Sequence, residues 1–235
     1  MKTLYFISSI ILLLFLTSCQ KSIFSEREKS LFISPNFGED LNIDSLRTLE
    51  DLIVHLDDIY CENYTVDKWP VLYFDLEHKK LVNPSRGKNI IPIGIEPSPC
   101  PNLMFEYDFS RILEVVKDGY NLEVEEQRIE PDSLTKYISK QYLNFGTDPK
   151  YSPSPENNGI WLITNKDDKL ENLNKYIWQI LDGYVIMANQ YAMIVYRKTL
   201  DDLSEKEFAD LKKVLSFHLS FKFSDEPPRI INELQ

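Results

Sequence analysis

Hydrophobic residues recur every three or four positions in four stretches of the chain, which is the spacing of one face of an α-helix. Asp44-Ser45 and Asp132-Ser133 precede two of these stretches and can cap them. Both pairs belong to Asp-Ser-Leu tripeptides, whose alternative role is bacterial O-glycosylation. Ser204-x-x-Glu207 has the form of a capping box. The predicted helices run from Leu46 to about Tyr60, from Leu134 to Tyr142, from Leu170 to about Leu200, and from Ser204 through Leu215.

The longest of these stretches contains a glycine. Gly183 costs about 1 kcal/mol relative to alanine in a helix. Because the apolar stripe keeps its phase across Gly183, we predict one continuous helix; the alternative ends the helix there and makes Tyr184–Tyr196 a strand. The tyrosines of the stripe are predicted to lie in the core rather than to form a platform for a ligand; they are Tyr176, Tyr184 and Tyr191.

Shorter runs of β-branched and aromatic residues predict strands. Asp118-Gly119 lies between two of them and is typical of a hairpin, whereas Pro92 limits another to a sheet edge. Ile160–Ile163 has the continuous apolar character of a central strand. These strands alternate with the helices and predict an α+β fold, with a small mixed or antiparallel sheet and helices packed on one face. The predicted strands are 71–76, 80–82, 90–95, 112–116, 122–125, 160–163 and 217–223.

The N-terminus carries an uncharged apolar run that ends in a cysteine. Lys2 precedes the run, and Leu16-Thr17-Ser18-Cys19 places small residues directly before the cysteine. Leu4–Ser18 is shorter than the roughly 20 apolar residues that span a bilayer. This pattern is typical of a bacterial lipoprotein, with a signal peptide at 1–18 and lipid on Cys19. The alternatives are an ordinary secretory signal and a short anchor that stays uncleaved.

The charge of the chain limits its partners. The formal net charge is −11. Nucleic-acid binding needs a positive footprint, so the sequence predicts no nucleic-acid partner. An acidic chain is also repelled by anionic lipid headgroups, and on this argument the lipid on Cys19, rather than the protein surface, holds the chain at the membrane.

Two cysteines remain when Cys19 carries lipid. Cys61 and Cys100 form an even pair in an exported chain, which favours a disulfide. Two free buried thiols are the alternative. The chain contains no Cys-x-x-Cys motif, so a redox or metal role for this pair is not predicted.

We find no motif for catalysis or metal binding. His55, His78 and His218 stand apart, and none has a cysteine, a carboxylate or a second histidine at metal-ligand spacing. Acidic pairs such as Asp167-Asp168 and Asp201-Asp202 lie in charged stretches and are predicted to form solvated surface. Nucleophile-elbow, P-loop and dinucleotide-binding motifs are missing. The sequence therefore predicts no catalytic residue, no metal and no cofactor.

The order of patterns in the second half has a counterpart in a known family. A strand, a turn and a second strand at 112–124 lead to Asp132-Ser133-Leu134. The match continues through Thr147-Asp148-Pro149, a strand at 160–163 and Asn165-Lys166-Asp167-Asp168. It then includes the helix that carries Tyr176-Ile177-Trp178-Gln179 and the segments 203–207 and 221–227. This order resembles the periplasmic domain of ExbD/TolR-type biopolymer transport proteins over about residues 110–230. The resemblance implies a domain that docks partner proteins in the periplasm.

One feature of that family is missing from this chain. The family's transmembrane helix carries an aspartate that is implicated in proton use, whereas Leu4–Ser18 contains no acidic residue. The resemblance therefore does not extend to a proton-coupled motor.

Together these patterns predict a signal peptide at 1–18, a lipidated tether at 19–40, an N-terminal α+β unit at 41–105 and an ExbD/TolR-like domain at 106–230. The expected function is a non-enzymatic interaction module in the cell envelope, lipid-anchored and facing the periplasm, and accessory to a TonB-type energy-transfer system. Expected partners are envelope proteins, including components of such a system, and a homodimer stays open. The alternatives are a lipoprotein that binds glycan or peptide, and an enzyme without a recognisable motif. A pocket lined by acidic residues and by His78 or His218 would favour the enzyme. An exposed sheet edge would favour the binding module.

Overall fold

The computed structural model describes residues 23–63, 68–96 and 109–224. The predictions for the signal peptide, for lipid on Cys19 and for a Cys61–Cys100 bridge lie outside the described residues and side chains. Within the described ranges, no helix has both the length and the apolar character that crossing a membrane requires.

Five α-helices lie in the described part of the chain, and four of them correspond to the predicted ones. The fifth, α1, was not predicted. Short 3-10 helices occupy 43–45, 109–111, 131–133 and 200–202. The α-helices are α1 (Glu26–Ser30), α2 (Leu49–Asn63), α3 (Leu134–Tyr142), α4 (Leu170–Val195) and α5 (Glu205–Val214).

The strands of the first half form a four-stranded sheet around a central strand. The strands are β1 (Phe37–Asp40), β2 (Trp69–Asp75), β3 (Lys80–Val82) and β4 (Ile90–Gly94). The central strand β2 pairs in parallel with β1 and antiparallel with β3 and β4. Pro92 lies in β4 opposite Tyr73. Among the described strands β4 pairs only with β2, so it is an edge strand of this sheet, as Pro92 predicted.

The strands of the second half form a five-stranded sheet in the order β7-β6-β5-β8-β9. They are β5 (Ile112–Asp118), β6 (Asn121–Val124), β7 (Gln127–Ile129), β8 (Gly159–Thr164) and β9 (Leu219–Phe223). β5, β8 and β9 run parallel, whereas β6 and β7 are antiparallel to their neighbours. The α+β class is confirmed and both sheets are mixed, but the strands form two sheets where a single small sheet was predicted. β8 is an interior strand, as predicted.

The two halves of the chain share one hydrophobic core. Ile95, directly after β4, bridges to Leu219 of β9, so the two sheets meet. On the helical side, α4 packs against α3 and also reaches the first sheet, where Asn174 Oδ1 accepts a hydrogen bond from the Leu81 N–H at 2.9 Å. The described parts of the predicted units at 41–105 and 106–230 are thus packed together.

The longest helix continues through its glycine, as predicted. α4 is 26 residues long. A Cβ atom on Gly183 would lie 2.8 Å from Ile138 Cδ1 and 3.3 Å from Thr135 Cα. The glycine therefore lets α3 approach α4 closely, and this packing offsets the low helix propensity of glycine. Tyr176, Tyr184 and Tyr191 are buried, which confirms their place in the core.

Residues 23–40 are folded, and the prediction of a tether is wrong for them. Ser25 and Glu28 form a complete capping box at the start of α1. Phe24 and Phe32 are buried, and the Phe24 ring stacks on Trp178 with centroids 5.6 Å apart. Burial of these aromatic side chains against α4 holds the segment on the body of the protein.

Two predicted helix caps also differ from the structure. Asp44-Ser45 lies in a 3-10 turn, and α2 begins later. At the start of α2, the Thr48 hydroxyl accepts a hydrogen bond from the Asp51 N–H at 3.2 Å. The Asp51 carboxylate in turn accepts one from the Thr48 N–H at 3.0 Å. The Ser133 side chain makes no capping hydrogen bond. The predicted capping box of Ser204 and Glu207 is confirmed.

Candidate functional site

The carboxyl ends of the parallel strands carry a buried polar cluster. In sheets with parallel strands this edge is the usual place for a ligand site. Lys117, at the end of β5, is 5% exposed, and its Nζ lies 2.7 Å from the Asp168 carboxylate. Thr164, the last residue of β8, donates its hydroxyl to the same carboxylate oxygen. The Lys117 Nζ also lies 6.0 Å from the centre of the Tyr176 ring.

Asp168 is the one member of a predicted surface pair that points inward. Burial alone would raise its pKa, but the hydrogen bonds from Lys117 and Thr164, with the Lys117 charge, hold the pKa of Asp168 below its usual value of 3.8. The prediction that Asp168 lies on the solvated surface is therefore wrong. The loop after β8 turns its carboxylate back toward Lys117. The sequence did carry a signal: Lys117 follows Leu113 and Val115 at every second position of β5 and therefore lies on the same buried face.

Hydrogen bonds around Asp168 hold the loop at 165–169 in place. The Leu49 N–H, at the start of α2, donates to the Asp168 backbone oxygen at 2.9 Å, and the Leu170 N–H donates to the Arg47 oxygen at 3.1 Å. The loop at 165–169 therefore joins the two halves of the chain. The Lys117–Asp168 ion pair and these backbone hydrogen bonds together hold the loop in place.

The three histidines are separate, as predicted. His55 lies half-buried in α2. His78 lies on the turn after β2, where its Nδ1 contacts Asp75 Oδ2 at 2.8 Å, and it is 64% exposed. Among the described residues there is no group of three histidine, cysteine or acidic side chains that could hold a metal ion.

His218 has neighbours that sequence reading missed. Its Nε2 lies 2.7 Å from the Ser216 hydroxyl, and its Nδ1 lies 3.6 Å from Glu96 Oε2. The Trp69 ring meets the imidazole edge-on at 4.7 Å. The order serine–histidine–carboxylate is that of hydrolase triads. The contact to Glu96 is too long for a hydrogen bond, so the histidine is not oriented as such a triad requires.

A groove of about 700 Å³ follows one face of α4. Neither His78 nor His218 lines it, so it lacks the combination of acids and histidine that would favour an enzyme. Burial raises the pKa of Asp182, which lines the groove near Lys79. The side chains that line the groove are mostly charged or amide groups; they are Lys79, Asp132, Thr135, Glu171, Asn174, Lys175, Trp178, Gln179, Asp182 and Ile186.

The five-stranded sheet ends in an open edge. β7, which was not predicted, pairs with β6, and no other strand pairs with it in the described part of the chain. Glu125 and Glu126 form the turn between these strands, both with positive φ (58° and 60°), as a type I′ hairpin turn requires. Glu-Glu is not a usual sequence for such a turn, and this is why β7 escaped sequence reading.

The geometry of this hairpin shows which backbone groups face outward. A two-residue turn makes Val124 and Gln127, which are opposite one another, a hydrogen-bonded pair. Pairs alternate along an antiparallel ladder, so the N–H and C=O of Arg128 point away from β6. Arg128 is exposed. The edge therefore offers a backbone donor and a backbone acceptor to an incoming strand.

Comparison with known proteins yields no match: no protein-family model, no curated protein and no solved structure matches the chain.

Proposed function

We propose that the protein is a lipid-anchored module of the bacterial cell envelope that binds other envelope proteins and catalyses no reaction. The N-terminal pattern ending at Cys19 supports the anchor and the periplasmic location. The resemblance of residues 110–230 to ExbD/TolR-type periplasmic domains is the basis for an accessory role in a TonB-type system.

The open edge of β7 is the observation that carries this proposal. An exposed edge binds an extended segment of a partner as an additional strand, and main-chain hydrogen bonds supply much of the affinity. The residues of β7 are polar and exposed except for half-buried Ile129, so the edge remains accessible without presenting an apolar strand that would aggregate.

Substitution of one residue tests this proposal on the intact protein. Arg128→Pro removes the outward N–H but leaves the ladder with β6 in place. Arg128→Ala is the matched control, because it removes the same side chain and keeps the N–H. We expect chemical cross-linking in envelope membranes to yield the same partner band with the wild type and with Arg128→Ala, and to lose that band with Arg128→Pro.

Equal cross-linking by both variants would refute binding at this edge. A cross-linked species of twice the monomer mass, lost in the same way, would identify a second copy of the chain as the occupant.

A second candidate function is hydrolysis, which the contact between Ser216 and His218 favours. It predicts turnover of activated esters that Ser216→Ala abolishes. The proposal of a non-enzymatic module predicts instead that wild type and Ser216→Ala are equally inactive in such a screen, while both keep the cross-linked partner.

A further inference from the structure

One short segment of this acidic chain is basic. The whole chain has 37 acidic against 26 basic side chains, counting lysine and arginine. Between Glu77 and Glu96, however, it contains no acidic residue. The basic residues of this segment are Lys79, Lys80, Arg86 and Lys88.

The fold brings these four residues to one end of the first sheet, which we call the basic end. Lys80, at the start of β3, and Ile90, at the start of β4, both lie opposite Asp75 of β2. The Leu76 N–H donates to the Asn89 oxygen at 2.8 Å, so the turn before β3 and the loop before β4 are adjacent. All four basic residues are exposed.

The acidic side chains at the basic end have other partners. Asp75 accepts from His78, and Glu77 accepts from the Asn89 amide at 3.1 Å. Within the described residues, none of the four basic groups lies within 4 Å of a carboxylate. Asp182 lies near Lys79 and Glu26 near Lys88, whereas Lys29, which donates to the Lys88 oxygen, adds a further positive charge. With these included, five basic groups stand against four acidic ones at the basic end, although the chain as a whole is strongly acidic.

The chain enters the fold beside the basic end. Phe24 stacks on Trp178, and the Lys79 Nζ lies 4.4 Å from the centre of the same ring. The Lys29 Nζ donates to the Lys88 backbone oxygen at 2.6 Å. The N-terminal segment therefore contacts Lys88 directly and packs on the same tryptophan as Lys79.

Covalent geometry then limits the distance to the lipid. Cys19 precedes Ile23, the first described residue, by four positions. Four residues of fully extended chain reach at most about 14 Å. A lipid on Cys19 would therefore keep Ile23, where the described chain begins beside the basic end, within about 14 Å of the membrane surface, which is roughly two Debye lengths.

We propose that the basic end docks on the anionic phospholipid headgroups of the membrane that holds the lipid anchor, and that this contact fixes the orientation of the protein. The inference rests on the proposed lipidation of Cys19. It replaces the expectation, drawn from the net charge, that anionic headgroups repel the chain, because the local charge at the point of attachment is positive. Lipid anchors are commonly reinforced by such a basic patch.

The test uses the full-length lipidated protein in vesicles of phosphatidylcholine, with or without phosphatidylglycerol. A water-soluble reagent acylates exposed lysines, and mass spectrometry follows each site. We expect Lys79, Lys80 and Lys88 to react about tenfold more slowly in the anionic vesicles, because contact with the headgroups shields their amines from the reagent. The exposed Lys136 and Lys206 are internal controls and should react equally in both.

Salt and a matched pair of variants sharpen the result. About 1 M salt should restore the reactivity of Lys79, because it shortens the Debye length to about 3 Å. Arg86→Gln/Lys88→Gln should lose most of the protection at Lys79 and Lys80. The control Lys206→Gln/Lys213→Gln has the same net charge as the first double variant and should keep the protection of Lys79 and Lys80.

The outcomes separate the two proposals. A mass spectrum without lipid on Cys19 overturns the anchor and with it the inference. A lipidated protein whose Lys79, Lys80 and Lys88 react equally in both kinds of vesicle, or in both double variants, refutes the docking and leaves the anchor in place.

Discussion

Polar groups at two edges of the five-stranded sheet have opposite surroundings. At the carboxyl end of β5 and β8, the charges of Lys117 and Asp168 meet inside the protein. At the edge formed by β7, the N–H and C=O of Arg128 point outward, and no strand of the described chain takes them up. The first region is closed and the second is open.

This difference separates stability from binding. A buried donor or acceptor without a partner is costly, so the cluster around Asp168 must satisfy its members within the fold. An outward backbone group is solvated by water and costs little until a partner replaces that water. We therefore expect substitutions in the cluster to change the free energy of unfolding, and substitutions at the edge to change binding.

The largest effect is expected from Asp168→Ala. The substitution leaves the Lys117 ammonium buried without its counter-charge, and breaking a buried pair in this way costs about 3 kcal/mol or more. Urea denaturation of the purified protein would measure the loss. Replacing both partners, in Lys117→Met/Asp168→Ala, should recover a large part of it, because no buried charge then remains. A double variant no more stable than Asp168→Ala would show that the ion pair is not the cause.

The same pair predicts a dependence on pH. The folded state lowers the pKa of Asp168, so its contribution is complete above the unfolded value of 3.8 and is lost as pH falls through the folded value. Below about pH 4 the wild type should lose stability more steeply than Asp168→Asn, and the difference between them isolates this carboxyl group. Parallel curves for the two proteins from pH 5 to pH 2 would contradict the assignment.

Two serines that sequence patterns place at helix starts allow a smaller comparison. The Ser204 hydroxyl accepts from the Glu207 N–H at 3.3 Å, whereas Ser133 makes no such bond. Ser204→Ala should cost about 1 kcal/mol of stability. Ser133→Ala should change stability by less than about 0.5 kcal/mol. Equal losses in thermal or urea unfolding would contradict the two different cap geometries.

Local patterns in the sequence predicted most elements of the fold. The stripe of α4, the capping box at Ser204 and the hairpin after β5 are periodic or short-range signals, and the structure contains all three. The sequence also contained Ser25-x-x-Glu28, which is the capping box of α1. Charged residues surround this short motif, so no apolar stripe marks a helix there. Contacts with distant residues hold α1 in place, among them Phe24 on Trp178 and Arg27 with Glu205.

The candidate sites were harder to predict because they depend on contacts between distant residues. Lys117 and Asp168 are brought together by two parallel strands and a loop, and His218 approaches Glu96 only where the two sheets meet. The basic end was hidden for a different reason. Net charge averages over the whole chain, whereas the turn and loop around β3 gather four positive charges in one place.

The smallest effect on stability is expected at the edge itself. The Arg128 N–H points away from β6, so Arg128→Pro should change the free energy of unfolding by less than about 0.5 kcal/mol. Gln127→Pro removes an N–H that the hairpin ladder uses and should cost about 1–3 kcal/mol. Urea denaturation of the two variants compares neighbouring residues of the same strand.

A stable Arg128→Pro protein that no longer cross-links to its partner would show that the open edge contributes to binding and not to folding. A large loss of stability in Arg128→Pro would mean that the register of β7 differs and that its outward N–H belongs to another residue.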